Sequence, residues 1–426
     1  MSTAASSASL TFRAFSEYDT MPVLKPSDTI EAAEIIGWAA AGKQTLEIVA
    51  GGTKRALGRA VKTDHVLDVS GLAGITDYDP PELVLTARPG TPLSVIEQEL
   101  AARRQMLAFE PADWRGLLGS QGEQTLGGVM ACNLSGPRRV RSGSARDYFL
   151  GFSAINGFGE VWKAGGRVVK NVTGYDMCKL QAGAYGTLSV LTEVTLKIMP
   201  KPETACTILL HGLADEVAIP ALAQALNTPL EVSAAAHLPA PVARRSKIGA
   251  VAAGLGAATA LRLEGPRPSV AGRADAVETL LGHGGRLDET ETEAFWKEIG
   301  SVQTLLDPGS RIVWRLCPTP SRAPAVVKAI AEKHASAEAY FDWGGGLIWL
   351  SLEAEDAGPD AGAAVVRDAA RQAGGYATLI VAPEAVRAST PVFEPAQDAL
   401  AALTARVKSG FDPKGVLNPG RMQEGQ

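Results

Sequence analysis

The chain has 426 residues, of which 46% are hydrophobic and 20% charged, with a formal net charge of −5. That is an ordinary globular composition with room for two or three domains. The small negative charge leaves no electrostatic footprint for nucleic acid.

The N-terminus, MSTAASSASLTFRAF, has no charged n-region followed by an apolar core. It therefore does not resemble a secretory signal, and residues 1–14 are expected to be a disordered tail. No run of 18 apolar residues occurs, and the Gly/Ala-rich stretch 248–261 is too short to span a bilayer. Cys132, Cys178, Cys206 and Cys317 stand far apart with no C-x-x-C. That spacing argues against a disulfide framework, a structural zinc site or an iron–sulfur cluster. The expected location is cytoplasmic, peripheral to the inner membrane only through partners.

In chain order, Asp28 is placed to cap a helix with Glu31 as its capping-box partner. Ala32, Ile35, Ile36 and Ala39 form its apolar stripe, and Gly42 ends it. TLEIV (45–49) is a strand that runs into AGGTKRALG; HVLDVS (65–70) and LVLTARPG (83–90) are further strands. Thr91-Pro92 starts a second helix with Leu93, Ile96 and Leu100 on its apolar face. Residues 107–147 read as a long irregular segment, a length that usually signals function. NGFGEVWKAGG (156–166) reads as a hairpin. VLTEVTLKI (190–198) reads as an amphipathic strand with Val190, Thr192, Val194, Leu196 and Ile198 on one face. Beyond Pro200 and Pro202 the pattern changes. Strands near 204–212, 231–238, 260–265, 311–317, 339–343, 346–352 and 378–383 alternate with helices at 214–226, 272–282, 322–335 and 361–373. That pattern suggests an antiparallel sheet with helices on one face. A helix from about 396 leads into FDPKGVLNPGRM.

Three stretches carry chemistry. In IVAGGTKRALG (48–58), a strand ends in a Gly-Gly-Thr turn whose consecutive backbone N–H groups suit a pyrophosphate, with the Thr53 hydroxyl and the Lys54 charge beside them. A plain glycine turn is the competing reading. In TLGGVMACNLSG (125–136), Gly127, Gly128 and Ala131 permit close backbone approach, and Asn133 offers an amide. The adjoining RRVRSGSARD places Arg138, Arg139, Arg141 and Arg146 in nine residues, either a solvated basic loop or an anion-binding or docking face. The third stretch, 156–202, contains KNVTGYDMCKL and GAYGTLSVLTE. Its Asn171-Val172-Thr173 fits a glycosylation acceptor, but a cytosolic setting makes the match coincidental.

In this order and spacing the blocks resemble the FAD-binding domain of the vanillyl-alcohol oxidase/PCMH-type superfamily. The likeness rests on KPSDTIEAA, AGGT, GGVMACNLSG, the R-x-G-x-x-RD element at Arg141, Gly143, Arg146 and Asp147, the KNVTGYD…GAYGTLSVLTE run and the tail FDPKGVLNPGRM. GGTKRALG, FEPADWRG, RRVRSGSARD, KNVTGYDMCKL and FDWGGGLIWL narrow it to the FAD-binding E subunit of bacterial glycolate oxidase.

That resemblance implies an α+β fold. Residues 15–202 would form a two-subdomain FAD-binding domain, 203–390 a smaller ferredoxin-like cap, and 391–426 a tail returning to the FAD domain. Gly51, Gly52, Thr53 and Lys54 would hold the FAD pyrophosphate. Thr125, Gly127, Gly128, Ala131, Asn133 and Gly136 would line the flavin and phosphate region, with Gly143 and Asp147 alongside. Gly186, Thr187 and Val190 would contact the cofactor largely through backbone. Lys170, Asn171, Tyr175 and Asp176 belong to the run leading past the flavin, and Tyr175 and Asp176 can equally be fold-stabilising. The histidine nearest the first loop is His65, beyond it, so noncovalent FAD is expected.

The implied partners are a catalytic flavoprotein subunit and an iron–sulfur subunit. The implied reaction is oxidation of glycolate or D-lactate to glyoxylate or pyruvate, with electrons leaving to a quinone or another carrier. Relatives carry H-x-G-D-G-N-x-H, a metal motif, where this chain has AYFDWGGGLIWL (339–350). The five histidines (65, 211, 237, 283, 334) show no metal-ligand spacing, so no metal site is expected and the catalytic base is not identified. Arg315, Asp342 and Trp343 are cap candidates for a remnant pocket. A self-sufficient 2-hydroxyacid dehydrogenase and a non-catalytic structural subunit are the alternatives.

Overall fold

The computed structural model describes residues 21–168, 174–254, 256–306 and 311–425. The expected N-terminal tail and the sequon at 171–173, with Lys170, lie outside the described residues.

Among the described residues the first helix is Thr29–Gly42. Asp28 caps it by accepting from the Ile30 and Glu31 backbone N–H groups at 2.8 and 2.9 Å. Glu31 does not close the expected capping box on Asp28. Its carboxylate accepts instead from the backbone N–H and hydroxyl of Ser27. The left-handed residue that stops the helix is Lys43 (φ 55°), one past Gly42. Ala32, Ile36, Ala39 and Ala40 are buried against a parallel three-stranded sheet ordered Val23–Leu24, His65–Asp68, Leu46–Val49.

A second sheet of five antiparallel strands runs Ile75–Asp79, Val84–Ala87, Ser189–Lys197, Phe149–Asn156, Val161–Gly165. The last two form the expected hairpin. Ser189–Lys197 sits in the middle, buried except at Glu193 and Lys197. The single apolar face expected along it is broken. The register against Phe149–Asn156 shifts between Ser153 and Ala154, and such a bulge reverses which residues face inward. Val190 accordingly packs with Ile36 and Leu46, while Leu191, Val194 and Leu196 join the large core on the other side. Helix Leu93–Ala102 buries Leu93, Ile96 and Leu100 as expected, but Thr91 is not its cap. The Thr91 hydroxyl accepts from Gly74 N and donates to Arg88 O.

Residues 204–381 contribute an eight-stranded antiparallel sheet in the order Gly285–Leu287, Thr204–His211, Ala258–Gly265, Ala234–Leu238, Glu338–Asp342, Leu347–Glu353, Arg311–Cys317, Tyr376–Val381. Side chains alternate across it, as the strand period of two requires, except where the register of Arg311–Cys317 against Tyr376–Val381 shifts between Val313 and Trp314. Ile208, Ala235, Leu261, Trp314, Phe341 and Leu350 face helices Asp215–Leu226, Arg267–Leu281, Ala323–Ala331 and Ala363–Gln372. Leu209, Ala236, Ala260, Val313, Tyr340 and Trp349 face the opposite way, into a core shared with Phe109, Trp114 and Leu126. The helix expected at 272–282 begins five residues earlier, just after Pro266.

The segment 107–147 mediates that contact, and it is not irregular: it carries short helices Arg115–Leu118, Leu126–Cys132 and Arg139–Ser142. Trp114 packs edge-on against Trp349 at 5.3 Å and donates its indole N–H to Gly300 O. Glu110 accepts both guanidinium nitrogens of Arg262 at 2.8 and 2.9 Å.

The tail helix Asp398–Phe411 leads the chain back to the first sheet. Leu417 bridges to Leu46, and Lys408 holds Asp412 and two backbone carbonyls. Among the described residues no helix is long and apolar enough to cross a membrane.

Candidate cofactor site

Four segments far apart in sequence wall one cleft of about 870 Å³, measured out to its open mouth.

Strand Leu46–Val49 delivers the first wall. Gly52 turns the chain at φ 70°, a conformation that favours glycine. A Cβ on Gly51 would overlap the carbonyl of Glu123, so only glycine lets the loop pass this close. Helix Leu126–Cys132 supplies the second wall. Thr125 caps it, and a Cβ on Gly127 would come within 2.5 Å of the Pro89 ring. The helix can therefore lie directly on Pro89, whose carbonyl takes the Gly127 N–H at 2.8 Å.

The third wall is the turn at 185–191, where Tyr185 and Gly186 both adopt positive φ (53° and 67°). A left-handed tyrosine is strained, and such strain persists only where the surroundings hold it. Here Tyr185 donates its N–H to Ala131 O at 2.9 Å, and its carbonyl accepts from the Asn418 amide at 2.8 Å. Asn418 and Arg421, from the tail, form the floor. Asn418 also accepts from Ile48 N. Arg421 binds the backbone carbonyls of Arg55 and Leu57 and pairs with the buried carboxylate of Glu47, which pairs with Arg55 as well.

The electrostatics ask for an anion. Among the described residues Lys54 has no carboxylate partner; its amine rests on the Gln124 side-chain oxygen at 2.8 Å and on Thr53 Oγ1. Burial lowers its pKa to about 8. Burial likewise pushes the neighbouring Cys132 thiol up to about 11, so it stays neutral. Gln181 uses its oxygen to accept from Ser189, which leaves its buried amide nitrogen without a partner. An unpaired ammonium and an orphaned donor, walled by glycines, fit an acceptor-rich anionic group such as the FAD pyrophosphate.

Of the residues singled out from sequence, Gly51, Gly52, Thr53, Lys54, Thr125, Gly127, Gly128, Ala131, Gly186 and Val190 line this cleft. Five do not. Asn133 closes its helix in the left-handed conformation, and its side chain accepts from Arg146 N. The carbonyl of Gly136 takes the Trp343 indole N–H. Gly143 and Asp147 make a capped turn, in which the Asp147 carboxylate binds the N–H and hydroxyl of Ser144. The Thr187 carbonyl anchors Lys408. Tyr175 is 93% exposed, and Asp176 caps helix Met177–Gln181, so neither lines the cleft. His65 lies against Trp38 and Gln44.

Sequence reasoning passed over Tyr185, Gln181, Asn418 and Arg421 as individual contacts. The two tail residues had a signal in the motif NPGRM; the other two had none beyond adjacency to GAYG. The basic loop splits. Arg138 pairs with Glu264 and Arg141 with Glu231, both in the 204–381 region. Arg139 lies 4.3 Å from the Trp343 ring centre, and Arg315 approaches the same ring at 5.1 Å. Asp342 accepts from Trp343 N at 2.7 Å, and burial raises its carboxyl pKa to about 7. Among the described residues no three histidines, cysteines or carboxylates gather as a metal site.

Comparison with known proteins agrees with this geometry. Residues 22–165 match a family model described as an FAD binding domain. The chain is 36% identical over 391 residues to glycolate oxidase subunit GlcE of Escherichia coli (strain K12), covering 91% of this chain and 95% of that protein. It is 30% identical over 198 residues to glycolate oxidase subunit GlcD of Bacillus subtilis (strain 168), covering 45% of this chain and 40% of that one. Among solved structures, 4-ethylphenol oxidase from Gulosibacter chungangensis superposes with a TM-score of 0.69 at 14% identity, covering 94% of this chain and 88% of that one. p-Cresol methylhydroxylase superposes with a TM-score of 0.67 at 13% identity, with the same coverage. These two matches establish the fold alone. The glycine-walled cleft, its unpaired cation and the likeness over nearly the whole chain lead to one assignment: the chain belongs to the glycolate oxidase subunit GlcE family, FAD-dependent oxidoreductases on the vanillyl-alcohol oxidase/PCMH-type fold.

Proposed function

We propose that the chain is the FAD-binding subunit of a glycolate oxidase complex. In this reading the segment through residue 202 holds FAD noncovalently, residues 203–390 cap it, and the tail completes the cleft. The complex oxidises glycolate or D-lactate to glyoxylate or pyruvate, and electrons leave through a flavoprotein subunit and an iron–sulfur subunit. It works in the cytoplasm, reaching the inner membrane only through those partners. The observation that carries the reading is the part-buried Lys54 ammonium, unmatched by any described carboxylate and facing the cleft.

Bound FAD would supply a two-electron acceptor for the substrate hydride. The chain's own residues divide the remaining work. Lys54, Thr53 and the N–H groups at Gly51–Gly52 neutralise phosphate. Gln181 donates to an acceptor, and Tyr185 lines the cleft with its ring against Phe393. None of the described cleft residues is a histidine or carboxylate, the types that most often take a hydroxyl proton. That supports placing the main substrate chemistry on a partner subunit.

The test is purification of the chain alone. Stoichiometric FAD, bleached by glycolate only when the partner subunits are added, is the expected result. Bleaching by glycolate or D-lactate without partners would establish a self-sufficient dehydrogenase instead. Colourless protein that takes up no FAD would leave a structural subunit.

A further inference from the structure

The geometry points to a small-carboxylate site formed by Arg139 and Arg315 against Trp343, beside the cofactor cleft. Both guanidiniums lie within about 5 Å of one indole ring. They arrive from separate places: Arg139 from the short helix after the second glycine block, Arg315 from strand Arg311–Cys317. Among the described residues neither has a carboxylate partner, whereas Arg138 and Arg141 of the same loop do. Two like charges held together with no counterion describe an anion site. Burial and the field of Arg315 both lower the pKa of Arg139, whereas Arg315, despite its burial, is raised by Cys317, Tyr376 and Tyr185 around it.

The position is built. Trp343 is itself left-handed (φ 52°) and is held by its indole N–H to Gly136 O and by its backbone N–H to Asp342. The ring therefore fixes where both guanidiniums rest. Tyr376, 46% exposed, lies against Arg315, and both arginines are part-buried. Tyr185 joins the pair to the cofactor cleft. It lines that cleft, and its phenol, pushed up by burial, feels Arg315 on one side and Arg421 on the other. Neither Arg139 nor Arg315 lines the cleft itself, so the anion they seek is separate from the cofactor phosphates.

The class that fits is a small mono- or dicarboxylate with one planar group for a guanidinium fork. Taking it to be a 2-hydroxy- or 2-oxoacid rests on the function proposed above; the anion site does not. The experiment is calorimetric titration of the FAD-loaded chain with oxalate and with glycolate, alongside Arg139→Gln, Arg315→Gln and the control Arg141→Gln. Wild type and the control should bind alike, and each of the other variants should bind at least tenfold more weakly. Ethylene glycol, the neutral analogue, should give no heat. Because burial and the field of Arg315 oppose the Arg139 charge, Arg139→Gln should not melt below wild type, and Trp343→Phe, which keeps the packing, should weaken oxalate less than either arginine variant. Equal affinity in all chains, or no oxalate binding to wild type, would overturn the proposal. So would loss of partner assembly in the arginine variants without any small-anion binding. If glycolate fails to reduce the assembled complex while oxalate binding still depends on both arginines, the proposed function fails and the anion site stands.

Discussion

Replacing Lys54 by methionine should move two observables in opposite directions. In the flavin-free chain the ammonium is part-buried without a counterion, and its pKa falls from 10.5 to about 8. At about 1.36 kcal/mol per unit, that is a destabilisation of roughly 3 kcal/mol, an upper bound because water reaches the open cleft. Methionine keeps the stem and removes the charge, so the flavin-free variant should melt higher than wild type. The sign with pH follows from a folded pKa below the unfolded one. The penalty is complete below pH 8 and is relieved between 8 and 10.5, so the variant's advantage should be largest near neutrality and vanish at high pH. FAD should show the reverse. A charge-assisted hydrogen bond is worth about 1.5–3 kcal/mol, so its loss should weaken FAD binding roughly 10- to 150-fold. Wild-type affinity should also decline above pH 8 while that of the variant stays level. The assays are thermal melting of stripped protein and quenching of FAD fluorescence on titration. A variant that melts lower and binds FAD normally would refute the reasoning, because Lys54 would then be a packing residue.

Glu47→Ala removes the carboxylate from the buried Arg421 guanidinium and should cost about 3–5 kcal/mol, read as a lower melting temperature and loss of flavin on gel filtration, since the Arg421 floor is released. Lys408→Met leaves Asp412 buried with only the Val416 and Leu417 N–H groups, with a penalty of similar size. Adding Asp412→Asn should recover part of it in a double-mutant cycle by urea melts. Asp342→Asn should stabilise, because the folded carboxyl pKa of about 7 lies above the ordinary 3.8 and the charged form is the one burial opposes. The penalty grows as pH rises from 4 to 7, so the gain should be larger at pH 8 than at pH 5, by roughly 2.6 kcal/mol at most.

What the sequence revealed follows from which constraints are local. The glycines at 51, 52 and 127 were visible because turn geometry and close backbone approach demand glycine regardless of distant partners, whereas Gly186 came only with the family resemblance. The alternation of strands and helices after residue 203 was visible for the same reason, since periodicity is a property of the strand itself. Glu47 carries no local sign that it will be buried between two arginines, one of them 374 positions away. The arginine cluster at 138–146 shows the same limit. Its charge was plain, but which members would be neutralised depended on Glu264 and Glu231, placed by a sheet that only the fold brings near. The bulge in Ser189–Lys197 escaped because an extra residue in a ladder leaves a strand pattern still looking regular.

The floor of the cofactor cleft has a consequence for biosynthesis. Residues 51–54 and 125–131 leave the ribosome long before Asn418 and Arg421, yet the cleft needs all of them. Until the tail is translated, the loop at 50–58 lacks the guanidinium that holds the carbonyls of Arg55 and Leu57, and Tyr185 lacks the amide that steadies its left-handed turn. On the function proposed above, cofactor loading is therefore a late event in the life of the polypeptide. A stalled or clipped chain lacking its last ten described residues would fold much of its core and remain colourless, which gives the cell a visible distinction between finished and unfinished copies.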